Sequence, residues 1–173
     1  VKGQFNLDGY LTPYSDVVAL LVLEHQAHAT NLITRAGWEY RIAKPSGAGL
    51  PPRVDEAVDD LVDYFLFVDE APLPSPVRGS SGFAEKFTAL GPRDGQGRSL
   101  RDFELNTRLF RYRLSYMIDS PGFHGLPEPV KTAVWARIGA VLSGKDQRPK
   151  YSHLPPAERR AIAEILRATA PES

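Results

Sequence analysis

The sequence predicts an all-α fold of five or six helices in an irregular, bundle-like array joined by long Pro- and Gly-rich loops. Three observations predict it. Apolar residues recur at helical spacing in several segments, 15 prolines and 14 glycines gather into the breaks between them, and no stretch shows the alternation of a half-buried strand. At 173 residues, with 42% hydrophobic and 24% charged side chains, one globular core is expected. The chain divides into an irregular arm (1–13), a single helical domain (14–169) and a short tail (170–173).

After Pro13, Ser15 or Asp16 is placed to cap a helix running to about Ala43. Its apolar face, at about 100° per residue, carries Val18, Leu21, Val22, Ala29, Leu32, Ala36, Tyr40 and Ala43. The loop KPSGAGLPPR (44–53) follows. A second helix is read through VDEAVDDLVDYFLFVDE (54–70), with Val54, Val58, Leu61, Val62, Phe65 and Val68 inward. Its other side holds Asp55, Glu56, Asp59, Asp60 and Asp63 and is expected to be a solvated acidic face.

APLPSPVRGSSG (71–82) breaks the chain, and FAEKFTALG (83–91) forms a short helix ended by Gly91 and Pro92. From Leu100 to about Ile118 a third long helix is expected. Phe103, Phe110, Leu114 and Met117 lie on one stripe and Leu105, Leu109, Tyr112 and Tyr116 on another, while Arg101, Arg108 and Arg111 share an edge suited to pairing with acids of a neighbour. SPGFHGLP (120–127) is a further break. Pro129 then opens a helix bearing Val130, Val134, Ile138, Val141 and Leu142, which Gly144 ends. A final helix from Pro156 to about Ala168 buries Ala161, Ile162, Ile165 and Leu166.

Composition removes whole classes of function. Lys and Arg number 21 and Asp and Glu number 21, so no net field draws the chain to nucleic acid or an anionic membrane. The absence of cysteine excludes disulfides, thiolate metal sites, iron–sulfur clusters, covalent c-type haem and cysteine nucleophiles. The apolar run Val17–Leu23 is cut by Glu24 and is far shorter than the roughly 20 residues of a membrane span. The chain opens at Val1 with no initiator Met and no basic-then-apolar leader, as expected of a processed protein or of a piece of a longer one.

Recognisable catalytic motifs fail one after another. The Gly-Gln-Gly of the 91–99 loop lacks the preceding strand and the Lys-Ser/Thr of a phosphate cradle. GSSG (79–82) is not a Gly-x-Ser-x-Gly elbow, and the acids at 55–63 are too exposed by pattern to serve as a raised-pKa carboxylate pair.

LEHQAH (23–28) is the arrangement with site potential. His25 falls about 20° from the centre of the apolar face of the first helix and His28 about 80° from it, with Glu24 just beyond. The spacing puts Glu24 and His28, and His25 and His28, on shared helix surfaces, and neutral imidazole is a common ligand for zinc, iron and haem. Glu24, His25 and His28 are therefore the candidate metal ligands, with His124 or Met117 to complete a set. The order departs from both Glu-x-x-His di-iron and His-Glu-x-x-His zinc motifs. A core histidine hydrogen-bonded to Glu, Tyr or backbone explains His25 and His28 without a ligand, and is the favoured reading. His124 and His153 are read as surface loop residues.

Three runs carry a resemblance covering most of the chain: LTPYSDVVALLVLEHQAHATNLITRAGWEYR, FAEKFTALGPRDGQGRSLRDFELNTRLFRYRLSYMIDSPGFHGLP and SGKDQRPKYSHLPPAERRAIAEILRAT. They resemble a group of uncharacterised bacterial extracytoplasmic helical proteins associated with c-type cytochrome systems. The resemblance implies an exported helical domain, periplasmic or secreted, near electron-transfer machinery, and transfers no functional residue. LPPAERRAIAEILRAT also looks like the terminal helix of small cytochromes c, but Cys-x-x-Cys-His is missing.

The expected function is a non-catalytic accessory or interaction domain of such an assembly. Its partners would be other protein subunits, a cytochrome or a membrane redox complex. The alternative is a metal- or non-covalent-haem-binding protein using His25 and His28.

Overall fold

A computed structural model describes residues 15–43 and 49–169; the expected 1–13 arm and 170–173 tail lie outside the described residues. The helices are α1 (Val17–Ala43), α2 (Pro52–Phe65), α3 (Phe83–Ala89), α4 (Pro121–His124), α5 (Glu128–Leu142) and α6 (Pro156–Thr169), with 3-10 turns at Tyr116–Asp119 and Pro149–Tyr151. The all-α class holds, and the described residues contain one isolated antiparallel bridge, Phe103 to Phe110, and no strand.

α1 packs mainly on α2, α2 on α5, and α5 on α6, while α3 and α4 lean on α1. The helical spacing dictates this arrangement. Val54, Val58, Leu61, Val62 and Phe65 of α2 are buried against Val22, Ala29, Ile33 and Ala36 of α1 and the α5 stripe Val130, Val134, Ile138 and Val141. Small residues on the inner side of α1 let the helix backbones approach. Leu21, Leu32 and Tyr40, expected on the same face, are only partly buried, and Ala43 is exposed.

Asp16 is the cap of α1. Its Oδ1 accepts from the backbone N–H groups of Val18 (2.9 Å) and Ala19 (3.2 Å), while Oδ2 accepts from Ser80 N–H, Ser81 N–H (both 2.9 Å) and the Ser81 hydroxyl (2.7 Å). The Ser81 hydroxyl first, then the backbone donors, hold this carboxyl well below the usual carboxylate range. One side chain thus starts α1 and fastens the 79–82 loop across it. A Cβ at Gly79 would come within 3.0 Å of Oδ2, so this close approach needs glycine.

Asp16→Ala is expected to lower the thermal midpoint and to expose the Ser80 and Ser81 amides to hydrogen exchange. The carboxylate's contribution is present at neutral pH and lost only as it protonates in strong acid. Unchanged exchange at both amides would contradict the clamp.

The expected long helix over Leu100–Ile118 does not form. Residues 100–115 fold instead as an irregular hairpin-like excursion, followed by the Tyr116–Asp119 3-10 turn. The cause is local turn chemistry. The Glu104 carboxylate accepts from the backbone N–H groups of Asn106 (3.0 Å), Thr107 (2.7 Å) and Arg108 (2.9 Å), and Leu105 adopts a left-handed φ of 61°. Leu105 N–H and Arg111 N–H close the turn onto Arg108 O and Asp102 O at 2.8 Å each. The 71–82 break holds it in place, because Leu73 N–H donates to Thr107 O (2.8 Å) and Val77 N–H to Leu105 O (2.9 Å).

The shared arginine edge dissolves with that helix. Arg101 lies over the Phe87 and Tyr116 rings at 4.9 and 4.6 Å, Arg108 lies 3.6 Å from Glu158, and Arg111 sits over Tyr112 at 5.7 Å.

α2 stops at Phe65 rather than continuing to Glu70, because Phe67 (φ 55°) and Asp69 (φ 57°) turn the chain through left-handed geometry. Its acidic side meets basic groups from other elements instead of standing alone in solvent. Asp60 pairs with Arg35 of α1 at 2.5 Å, Asp55 and Asp59 pair with Arg137 of α5, and Asp63 takes Lys150 (2.6 Å) and the Tyr151 hydroxyl (2.8 Å). SPGFHGLP, read as a break, contains α4. Ser120 caps it by accepting from Phe123 N–H (3.2 Å), and Phe123 is fully buried.

Candidate functional site

His25 faces inward from the middle of α1, as its place on the helical wheel predicts, and is 6% exposed. Its ring is stacked between Tyr64 of α2 and Phe67 of the following turn, both at 5.2 Å between centroids, with Phe110 edge-on at 5.4 Å. Tyr64 stacks on His28 as well, at 4.4 Å, so His28, Tyr64, His25 and Phe67 form a ladder of rings from surface to core. The left-handed turn at Phe67 is what delivers that last ring to the imidazole.

Both ring nitrogens are occupied. Nε2 lies 2.7 Å from Ser115 Oγ and Nδ1 lies 3.1 Å from the Tyr64 hydroxyl, which donates to the His25 carbonyl oxygen at 3.3 Å. Ser115 is fully buried at the start of the Tyr116–Asp119 turn. Its Oγ accepts from Met117 N–H (3.1 Å) and its own N–H donates to Phe65 O (2.8 Å).

One proton assignment satisfies every group: Ser115 Oγ–H donates to Nε2, and Nδ1–H donates to Tyr64. In the other tautomer the Ser115 proton has no acceptor in this set, so the hydrogen-bond inventory assigns the Nδ1–H form. Burial, reinforced by the nearby His28, pushes His25 from 6.5 down to about 4, and the ring is neutral at pH 7. Burial, with the charges of Glu24, Tyr116 and Glu70, pushes the Tyr64 phenol up to about 12.

His28 and Glu24 are exposed and share with His25 the wall of a cleft of about 440 Å³. Tyr64, Phe67, Leu73 and Leu109 supply its apolar surface and Glu70 lies on its inner edge, where burial raises the Glu70 carboxyl above the usual range. The structure therefore brings the three candidate metal ligands to one cleft, but only two of them face solvent. Among the described residues no three His, Asp or Glu side chains are grouped to hold a metal ion. A metal on His25 would have to displace Ser115 or Tyr64.

His124 and Met117 lie elsewhere. His124 is exposed at the end of α4, against the Phe123 ring, and Met117 lines a separate groove between α1 and α4. His153, expected on the surface, is half-buried instead: its ring nitrogens lie 2.9 Å from Lys150 O and 2.8 Å from Leu66 O, so the ring ties the Pro149–Tyr151 turn to the end of α2.

Ser115 and Tyr64 escape a sequence reading. Ser115 lies inside the segment that reads as helix, and Tyr64 sits on the side of α2 that carries its acids. The inward place of His25 shows that a polar partner is required, but not which one. The assembled chain of hydrogen bonds joins α1, α2 and the Tyr116–Asp119 turn, and its Ser115 hydroxyl is fully buried. It is chemically suited to locking three elements together and not to attacking a bound substrate.

No described helix is long and apolar enough to cross a membrane. No protein-family model, curated protein or solved structure matches the chain.

Proposed function

We propose that this chain is a non-catalytic helical accessory domain that acts by protein–protein contact within an extracytoplasmic, cytochrome-containing electron-transfer assembly. The observation that carries the reading is the solvent side of α1. Leu20 is 54% exposed, Leu23 60%, Trp38 61% and Ile42 49%, and uncharged Ala27, Asn31 and Thr34 fill the ridge between them. The ridge runs about 33 Å along the helix at 1.5 Å per residue. Two exposed pairs of large apolar side chains, Leu20 with Leu23 near the start and Trp38 with Ile42 near the end of a helix whose opposite face already fills the core, support a contact surface. The placement near cytochromes, and outside the cytoplasm, rests on the sequence resemblance.

The closed bonding of His25 supports the non-catalytic part. Its imidazole is spent on Ser115 and Tyr64, so the residue best placed for chemistry serves the fold. No specific contact favours the metal or haem alternative over this one.

A photo-crosslinking residue at position 38 in the native envelope tests the proposal. An adduct absent from the same substitution at exposed Arg160 of α6, together with copurification of a haem-staining subunit identified by mass spectrometry, is expected. Absence of any adduct, with no association with redox subunits, would overturn it.

A further inference from the structure

We infer that His153 is a proton-operated latch: carrying both ring protons it pins the turn after α2, and on losing one it lets that turn go. A pair of acceptors carries the inference. Nδ1 lies 2.9 Å from Lys150 O and Nε2 lies 2.8 Å from Leu66 O. A carbonyl oxygen only accepts, so each nitrogen must supply an N–H, and only the imidazolium has two. His25 is the opposite case, because its Ser115 partner is a hydroxyl that can give its proton to the ring.

The charges around the ring suit a cation. His153 shares a cleft of about 280 Å³ with Asp69 and Glu70 of the turn, Arg113 of the irregular 100–115 segment and Lys150 of its own turn. Arg113 is paired with Glu158 of α6 at 2.9 Å and Lys150 with Asp63 of α2 at 2.6 Å. Asp69 and Glu70 make no ion pair among the described residues, which leaves these two acids to balance the imidazolium.

The bond to Leu66 O is the one that matters. Leu66 is fully buried where α2 gives way to left-handed geometry at Phe67, and among the described residues no backbone N–H outside the helices donates to its carbonyl. A neutral ring keeps one N–H. Lys150 lies three residues away in sequence and Leu66 eighty-seven, so the local bond survives and the long-range one breaks. The freed turn carries Phe67, which stacks on His25 at 5.2 Å, and Glu70, and both residues line this cleft and the larger one beside His25. Proton loss at His153 therefore loosens the partition between the two clefts. The bond is complete at low pH and lost as pH rises, opposite in sign to the contribution of His25.

Nuclear magnetic resonance of the chain labelled with nitrogen-15 tests this between about pH 5.5 and pH 8, the span in which imidazole ordinarily changes charge. His25, held down at about 4, stays neutral throughout. At the acid end both ring nitrogens of His153 should carry protons. The amides of Phe67 and Val68, which donate to Tyr64 O (3.1 Å) and Asp63 O (3.0 Å), should lose about tenfold in hydrogen-exchange protection by the alkaline end, after correction for the intrinsic pH dependence of exchange, while Ile138 of α5 should not. In His153→Gln their protection should be low at both ends.

A single N–H on His153 at the acid end, or wild-type protection at Phe67 and Val68 indifferent to pH, would overturn the latch, and both readouts stand without the variant. The same pH dependence in His153→Gln would move the effect to Asp69 or Glu70 and overturn the role of His153.

Discussion

Phe110→Ala is expected to destabilise the fold by about 3–5 kcal/mol, the range for truncating a buried aromatic side chain. Phe110 is 2% exposed, and its ring lies 5.4–6.2 Å from five others: His25 (5.4 Å), Phe67 (5.9 Å), Phe87 (6.2 Å), Phe103 (5.4 Å) and Tyr116 (5.5 Å). These rings come from α1, α3, the left-handed turn after α2, the irregular 100–115 segment and the Tyr116–Asp119 turn. One deletion therefore loosens every element around the His25 pocket. Because domains of this kind are stable by only about 5–15 kcal/mol, the loss is a large fraction of the total. Urea unfolding should show it as a lowered midpoint with an unchanged slope. Leu90→Ala, at a position 76% exposed, is the matched control and should change stability by less than about 0.5 kcal/mol. A Phe110→Ala loss no larger than that of the control would contradict the packing.

The second large effect is on pH dependence. His25 is held neutral in the fold down to about pH 4, whereas the same side chain in the unfolded chain takes up a proton near 6.5. Between those values the unfolded state binds more protons than the native state, so stability rises with pH. The contribution of the neutral ring is complete above 6.5 and is lost as pH falls toward 4, by up to about 3 kcal/mol from a shift of this size.

Comparison of unfolding free energies at pH 7 and pH 4.5 for the wild type and His25→Gln isolates this contribution. Glu70 and Asp119, whose carboxyls burial raises, act in the opposite sense, but they are present in both proteins and cancel in the difference. The variant should be less stable at pH 7 and should lose less on acidification. Equal pH slopes in the two proteins would show that His25 is not held neutral.

Much of the fold was legible because its helices are bounded by residues with fixed local chemistry. Asp16 starts α1 and Gly144, with its φ of 75°, follows the end of α5, as the capping rules read from the sequence expect, whereas α2 starts at Pro52, inside the segment read as a loop. The segment from Leu100 to Ile118 was not legible. Its two apolar stripes fit a helix buried on both sides, yet the same residues serve as the two flanks of a hairpin once Glu104 captures three backbone N–H groups. The choice depends also on Leu73 and Val77, which donate to that turn from about thirty residues upstream in chain order.

The candidate site divides in the same way. The inward direction of His25 follows from helical periodicity. Its neutrality and closed bonding do not, because Tyr64 lies 39 residues away in sequence and Ser115 lies 90.

By itself the sequence determined the all-α class, most helix boundaries, the exclusion of cysteine chemistry and the burial of one histidine, all of which follow from local propensity, periodicity and composition. Only the tertiary structure decided what that histidine is for and which side of α1 remains uncovered. Hydrogen bonds between distant residues fill both imidazole nitrogens, and the core has only one side of α1 to bury, so Leu20, Leu23, Trp38 and Ile42 are left facing out.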